Sequence, residues 1–137
     1  MSLGIAGLAH VGISVRSIEA ALPAWEKLGF RLADTEELAT MHLKVAFLSA
    51  GDTWIELLEP TSPDTPVGRF LERRGEGLHH LALYVADLEA ALARAERLGL
   101  RLIDRTPRDG SHGMKIAFLH PSERSGVLVE LCERRKA

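Results

Sequence analysis

The sequence predicts an α+β fold: two paired βαβββ modules forming an open, curved, eight-stranded, barrel-like sheet. Three observations predict it. First, the stretch Leu8-Ala9-His10-Val11-Gly12-Ile13-Ser14-Val15 is matched by Leu78-His79-His80-Leu81-Ala82-Leu83-Tyr84-Val85, 70 residues later. The offset of 70 holds through Ile18–Leu22 against Leu88–Leu92, Leu28-Gly29 against Leu98-Gly99, and Asp34 against Asp104. A gapless match of this length marks a duplication. Second, the matched stretches alternate like strands: Ala9, Val11, Ile13 and Val15 point one way, and His10, Gly12 and Ser14 the other. Third, the segments that follow carry apolar residues at helical spacing.

The elements follow in order. Leu8–Val15 is the first strand. Ser17 is placed to cap a helix over Ile18–Lys27, with Ile18, Ala21, Leu22 and Trp25 on one face. Pro23 lies inside that pattern and predicts a late start or a bend. Gly29 supplies the left-handed cap. Strands are expected at Phe30–Thr35, Leu43–Leu48 and Trp54–Glu59, the last stopped by Pro60. The first module thus covers 6–60. Residues 61–77 form a turn-rich connector with a short helix at Val67–Arg74. The second module, 78–133, repeats the order: strand Leu78–Val85, cap Asp87, helix Leu88–Leu98, strand Leu100–Asp104, then strands Lys115–Leu119 and Val127–Leu131. Together they make one domain of two repeats, 1–137. The charged tail Glu133–Ala137 is read as solvated and without a role.

Composition narrows the function classes. The chain has 137 residues, 46% hydrophobic and 26% charged, ordinary for a globular domain. A formal net charge of −2 gives no electrostatic ground for a nucleic-acid or anionic-membrane partner. The single cysteine, Cys132, excludes an intrachain disulfide and fits a reducing cytoplasm. No apolar run is long enough to span a bilayer. The segment Met1–Ile5 lacks a basic region ahead of an apolar one, so no signal peptide is expected and a cytoplasmic location is.

The chemistry lies in four positions. By alternation, His10, Glu56, His80 and Glu130 each sit on the strand face opposite their module's apolar face. A pseudo-twofold pairing of curved sheets would turn those faces toward one cleft. A single histidine opening an apolar strand is ordinarily a core residue, and a single glutamate on a strand ordinarily faces solvent. Equivalence of all four across a duplication singles them out. A buried carboxylate is costly unless paired or bound to a cation. Two imidazoles with two carboxylates suit a divalent ion such as Co, Ni, Mn, Fe or Zn. Four protein ligands leave two positions of an octahedral ion for a bidentate substrate. His79 falls on the other face, His42 and His120 have no repeat partner, and Phe47, Phe118 and Trp25 read as core.

At these residues the chain resembles the vicinal-oxygen-chelate superfamily and, within it, the methylmalonyl-CoA epimerases. The resemblance runs from Leu8 to Glu133. Its more specific pieces are Gly51–Pro60, Gly75–His80, Gly110-Ser111-His112-Gly113, Phe118–Pro121 and Gly126–Leu131. It implies that His10, Glu56, His80 and Glu130 are metal ligands, relatives carrying glutamine or glutamate at the position of Glu56. It implies interconversion of the C2 epimers of a small acyl-CoA substrate through a metal-stabilised enolate. Glu130 is the expected base and Glu56, its counterpart, the expected second one. His112 is read either as a contact to the substrate carboxylate or phosphate or as a loop-stabilising residue, and Lys115 as a second substrate-binding candidate. A homodimer is expected from the superfamily. The chain departs from the epimerase pattern at Thr40–Val45, which carries no acid. The cluster Arg69, Arg73 and Arg74 reads as solvated surface or as a phosphate contact.

Three other readings fit parts of the pattern. A glyoxalase I-like lactoylglutathione lyase uses the same ligand set and proton logic. A ring-cleaving Fe(II) dioxygenase would use His10, His80 and Glu130, but Glu56 would occupy a position that reaction needs. A ligand-sequestering protein of the superfamily needs no complete ligand set, and the set here is complete.

Overall fold

The structure, a computed structural model, describes residues 2–121 and 126–134; the end of the charged tail, residues 135–137, lies outside the described residues. Among the described residues, eight strands and three α-helices give the α+β class expected. Among the described residues, no helix is long and apolar enough to cross a membrane. The chain divides into two compact units, one of residues 10–79, the other of residues up to 9 with those from 80 on.

In the first unit, strand β1 (Gly7–Ser14) leads through helix α1 (Ile18–Lys27) to strands β2 (Arg31–Leu38), β3 (Leu43–Ala50) and β4 (Thr53–Pro60). β4 pairs parallel with β1 and antiparallel with β3, and β3 pairs antiparallel with β2. One sheet face buries Val15, Ala46, Leu48, Ile55 and Leu57 beneath Ile18, Ala21, Leu22 and Trp25 of α1. The opposite face buries Leu43, Val45, Phe47 and Leu58 against Val67, from helix α2 (Pro66–Arg74). The period-2 alternation read from the sequence is what separates the two sets. α1 neither starts late nor breaks at Pro23. Ser17 accepts the Ala20 N–H at 3.1 Å and the helix runs unbroken to Lys27.

In the second unit, strand β5 (Gly77–Val85) leads through helix α3 (Leu88–Arg97) to β6 (Arg108–Asp109), β7 (Lys115–Leu119) and β8 (Val129–Glu133). β8 pairs parallel with β5 and antiparallel with β7. Leu88, Ala91 and Leu92 of α3 pack on Ala117, Leu119, Val129 and Leu131. The other face buries Ala9, Ala82, Ile116, Phe118 and Cys132.

One expected strand is not there. Leu100–Asp104 makes only a single bridge, Leu102 with Leu119, and the edge strand forms further on, at Arg108–Asp109. The carboxylate of Asp104 takes the Phe118 N–H at 2.9 Å, and the Ile103 and Asp104 N–H groups both turn to the Phe118 carbonyl. A side chain thus occupies the position a ladder would use.

The reading of the tail as roleless fails at its first residue. Glu133 Oε1 accepts the N–H of Leu88, the first residue of α3, at 2.8 Å. Glu59 does the same for Ile18 of α1, also at 2.8 Å. Each helix therefore has two caps: its own Ser17 or Asp87, and a carboxylate from the strand beneath. A negative charge at a helix start also meets the positive end of the helix dipole. Replacing Glu133 by alanine is expected to cost about 1–2 kcal/mol, the range of a charged hydrogen bond that keeps some solvent access. Urea unfolding of the variant measures it; an unchanged midpoint would show that the cap carries no stability.

Candidate active site

The register of the first unit builds a pair of chemical groups. Parallel pairing sets Glu56 beside Gly12, and antiparallel pairing sets Phe47 opposite Glu56. His10 precedes Gly12 by two residues and so shares its face. With no side chain at position 12, nothing stands between His10 and Glu56. His10 Nδ1 lies 3.1 Å from Glu56 Oε2.

The second unit repeats the arrangement with its own residues. Glu130 sits beside Ala82 and opposite Phe118, and His80 precedes Ala82 by two. His80 Nε2 lies 3.2 Å from Glu130 Oε1. The Phe118 ring meets the His80 imidazole edge to face, 5.7 Å between centroids and at 88°. The two pairs differ in the imidazole nitrogen used, so the duplication has kept the positions without copying the rotamers.

All four side chains are buried, His10 at 4% exposure and the other three at 6%. A glutamate this deep needs a positive partner. A protonated imidazole is one solution and a metal cation is the other. The distances fit both, since an N–H···O contact has the same span. Ligands about 2.1 Å from an ion in adjacent octahedral positions stand about 3 Å from each other, close to the spacing in both pairs. One imidazole and one carboxylate per pair is also a donor set that divalent first-row ions accept.

The remaining candidates fall elsewhere. Lys115 is three residues from Phe118 on β7, which puts it on the sheet face opposite Glu130, where it pairs with Asp109. His112 is exposed in the short turn Ser111–Gly113, with a left-handed backbone at φ 55° and ψ 28°. The turn is closed by Gly110 N–H to the Met114 carbonyl at 2.9 Å. His79 packs edge to face on Phe70 in the first unit, and Arg74 lies over the same ring. Arg69 and Arg73 are exposed. The acid-free stretch from Thr40 folds into a 3-10 turn, Ala39–Met41, followed by a left-handed His42. Met41 packs on the Leu43 cluster, on the face that carries Glu56. Sequence reasoning passed over one residue beside the second pair, Arg108. Its guanidinium lies over the Phe118 ring, and its place two residues ahead of the Gly110–Gly113 loop was the available signal.

Residues 9–118 match the Glyoxalase/Bleomycin resistance protein/Dioxygenase superfamily. Among curated relatives, the uncharacterised Bacillus subtilis protein YqjC is 45% identical over 127 residues, 92% of this chain and 91% of that protein. The ethylmalonyl-CoA/methylmalonyl-CoA epimerase of Cereibacter sphaeroides is 35% identical over 130 residues, 93% of this chain and 97% of that one. Among solved structures, a variant of Streptomyces coelicolor methylmalonyl-CoA epimerase in complex with 2-nitronate-propionyl-CoA superposes with a TM-score of 0.92. It is 33% identical, and the match covers 98% of each chain. The chain therefore belongs to the glyoxalase/bleomycin resistance/dioxygenase superfamily, with methylmalonyl-CoA epimerases among its relatives in both sequence and fold.

Proposed function

We propose that the protein is a divalent-metal-dependent epimerase acting at C2 of methylmalonyl-CoA. The observation that carries the reading is the pair of buried histidine–glutamate couples at equivalent positions of a duplicated chain. Epimerase relatives at about a third identity, one of them solved with an acyl-CoA ligand, support the substrate class.

In this reading His10, Glu56, His80 and Glu130 would hold one ion. When bound, the ion supplies a Lewis acid that draws charge from the carboxylate and thioester oxygens of the substrate. The chain's own residues move the proton. A carboxylate has two oxygens, so Glu130 can serve the cation with one and take the C2 proton with the other. Glu56, on the other repeat, returns a proton to the opposite face of the planar carbon, which inverts it. Both carboxylates are buried, which keeps bulk water away from the proton they move. Phe118, against His80, and Phe47, across from Glu56, keep each pair dry and upright.

The test is release of deuterium from C2-labelled methylmalonyl-CoA by protein loaded with Co²⁺. Metal-dependent release with inversion is expected. Absence of release from metal-loaded protein, with turnover of the methylglyoxal–glutathione hemithioacetal instead, would replace this reading with the lyase.

A further inference from the structure

We propose that Arg108 binds an anionic oxygen of the acyl-CoA substrate and so determines which thioesters the second half-site accepts. The substrate's identity rests on the epimerase reading; the anion site rests on geometry.

Arg108 opens β6. Its guanidinium carbon lies 5.3 Å from the centroid of the Phe118 ring, and that ring is the one against His80 and across from Glu130. Its Nε lies 3.4 Å from Asp104 Oδ2. The same Asp104 oxygen accepts the backbone N–H of Phe118 at 2.9 Å. One carboxylate therefore ties the cation to the residue whose ring carries it. Stacking and the Nε contact fix the plane of the guanidinium, while 45% of the side chain stays open to solvent.

An exposed arginine–aspartate pair is ordinarily worth little. Here it acts by orientation. The planar fork of arginine matches two oxygens of a carboxylate or phosphate, and a fork already fixed in plane loses less entropy on binding. A methylmalonyl thioester has such a carboxylate, and its nucleotide carries phosphates. The first repeat offers no equivalent. Phe47 is paired there with Asp34, in the stretch Asp34-Thr35-Glu36-Glu37, which carries three acids and no base. The two repeats therefore differ in charge at equivalent edges, and the second is the one suited to an anionic ligand.

The experiment measures dissociation constants by calorimetry for methylmalonyl-CoA and for methylmalonyl-pantetheine, which lacks the nucleotide phosphates. Wild type, Arg108→Met and Arg108→Lys are compared, all metal-loaded. Methionine can still pack on Phe118 but has no charge. Arg108→Met is expected to weaken binding about 10- to 100-fold, the range for one charge-assisted contact, and Arg108→Lys to recover part of it. Equal weakening for both ligands assigns the contact to the acyl carboxylate; weakening for the CoA ester alone assigns it to a phosphate. Constants within twofold of wild type for both ligands, or no binding of either ligand to wild type, overturn the proposal. Deuterium release by wild type, measured separately, reports on the epimerase reading alone.

Discussion

Replacing Glu130 by glutamine is expected to abolish epimerisation, lowering kcat by a factor of about 10³–10⁴, the scale of a positioned general base. Glutamine keeps the size of the side chain and its place opposite Phe118. It removes the charge and the basicity. The two-base scheme makes a sharper expectation. With Glu130 gone, one C2 epimer should stop releasing its deuterium while the other is still deprotonated by Glu56. Glu56→Gln should produce the mirror image. Stereochemically pure, C2-labelled substrates followed by NMR read both at once. Metal content measured on each variant separates loss of the base from loss of a ligand. Release from both epimers at the wild-type rate in Glu130→Gln would remove Glu130 from the chemistry.

That experiment could have been designed from the sequence, and the reason is physical. The site residues lie on strands, where a period of two decides which side chains share a face, and the duplication shows the pattern twice. His10 with Gly12, Glu56 against Phe47, and their counterparts needed only that period and parallel pairing of the first and last strands of each module. What the alternation could not show is anything made by a side chain meeting a distant backbone. Glu59 reads only as the end of a strand and Glu133 only as the start of a solvated tail, and each lies three residues past its site glutamate and so on the opposite face. Their caps on Ile18 and Leu88 become visible only when strand and helix are brought together. Asp104 is the same case. Its carboxylate takes the Phe118 N–H, so the stretch that scans as a strand from Leu100 makes one bridge and the edge forms at Arg108 instead. Lys115 was a substrate-binding candidate, and parity along β7 carries it to the far face. Arg108 lay equally near that loop, and only the structure shows its guanidinium over Phe118.

Removing the metal is expected to have the other large effect, on stability as well as on rate. His10, Glu56, His80 and Glu130 are all buried, so two carboxylates lie in surroundings that tolerate charge only beside a cation. An ion that binds the folded chain alone adds about 4 kcal/mol when its concentration is a thousand times its dissociation constant. For a chain of this size each kcal/mol moves the melting temperature by roughly 2–8 °C. Dialysis against a chelator should therefore lower Tm by about 8 °C or more and stop deuterium release, and Co²⁺ should restore both. The proposed ligand set draws on both halves of the duplication, so under that proposal His10→Ala and His80→Ala should each remove most of the Co²⁺-induced rise. A rise lost in only one of them would mean that a single histidine–glutamate pair holds the ion. The result that contradicts a metal site outright is protein free of metal by elemental analysis that melts and turns over as before.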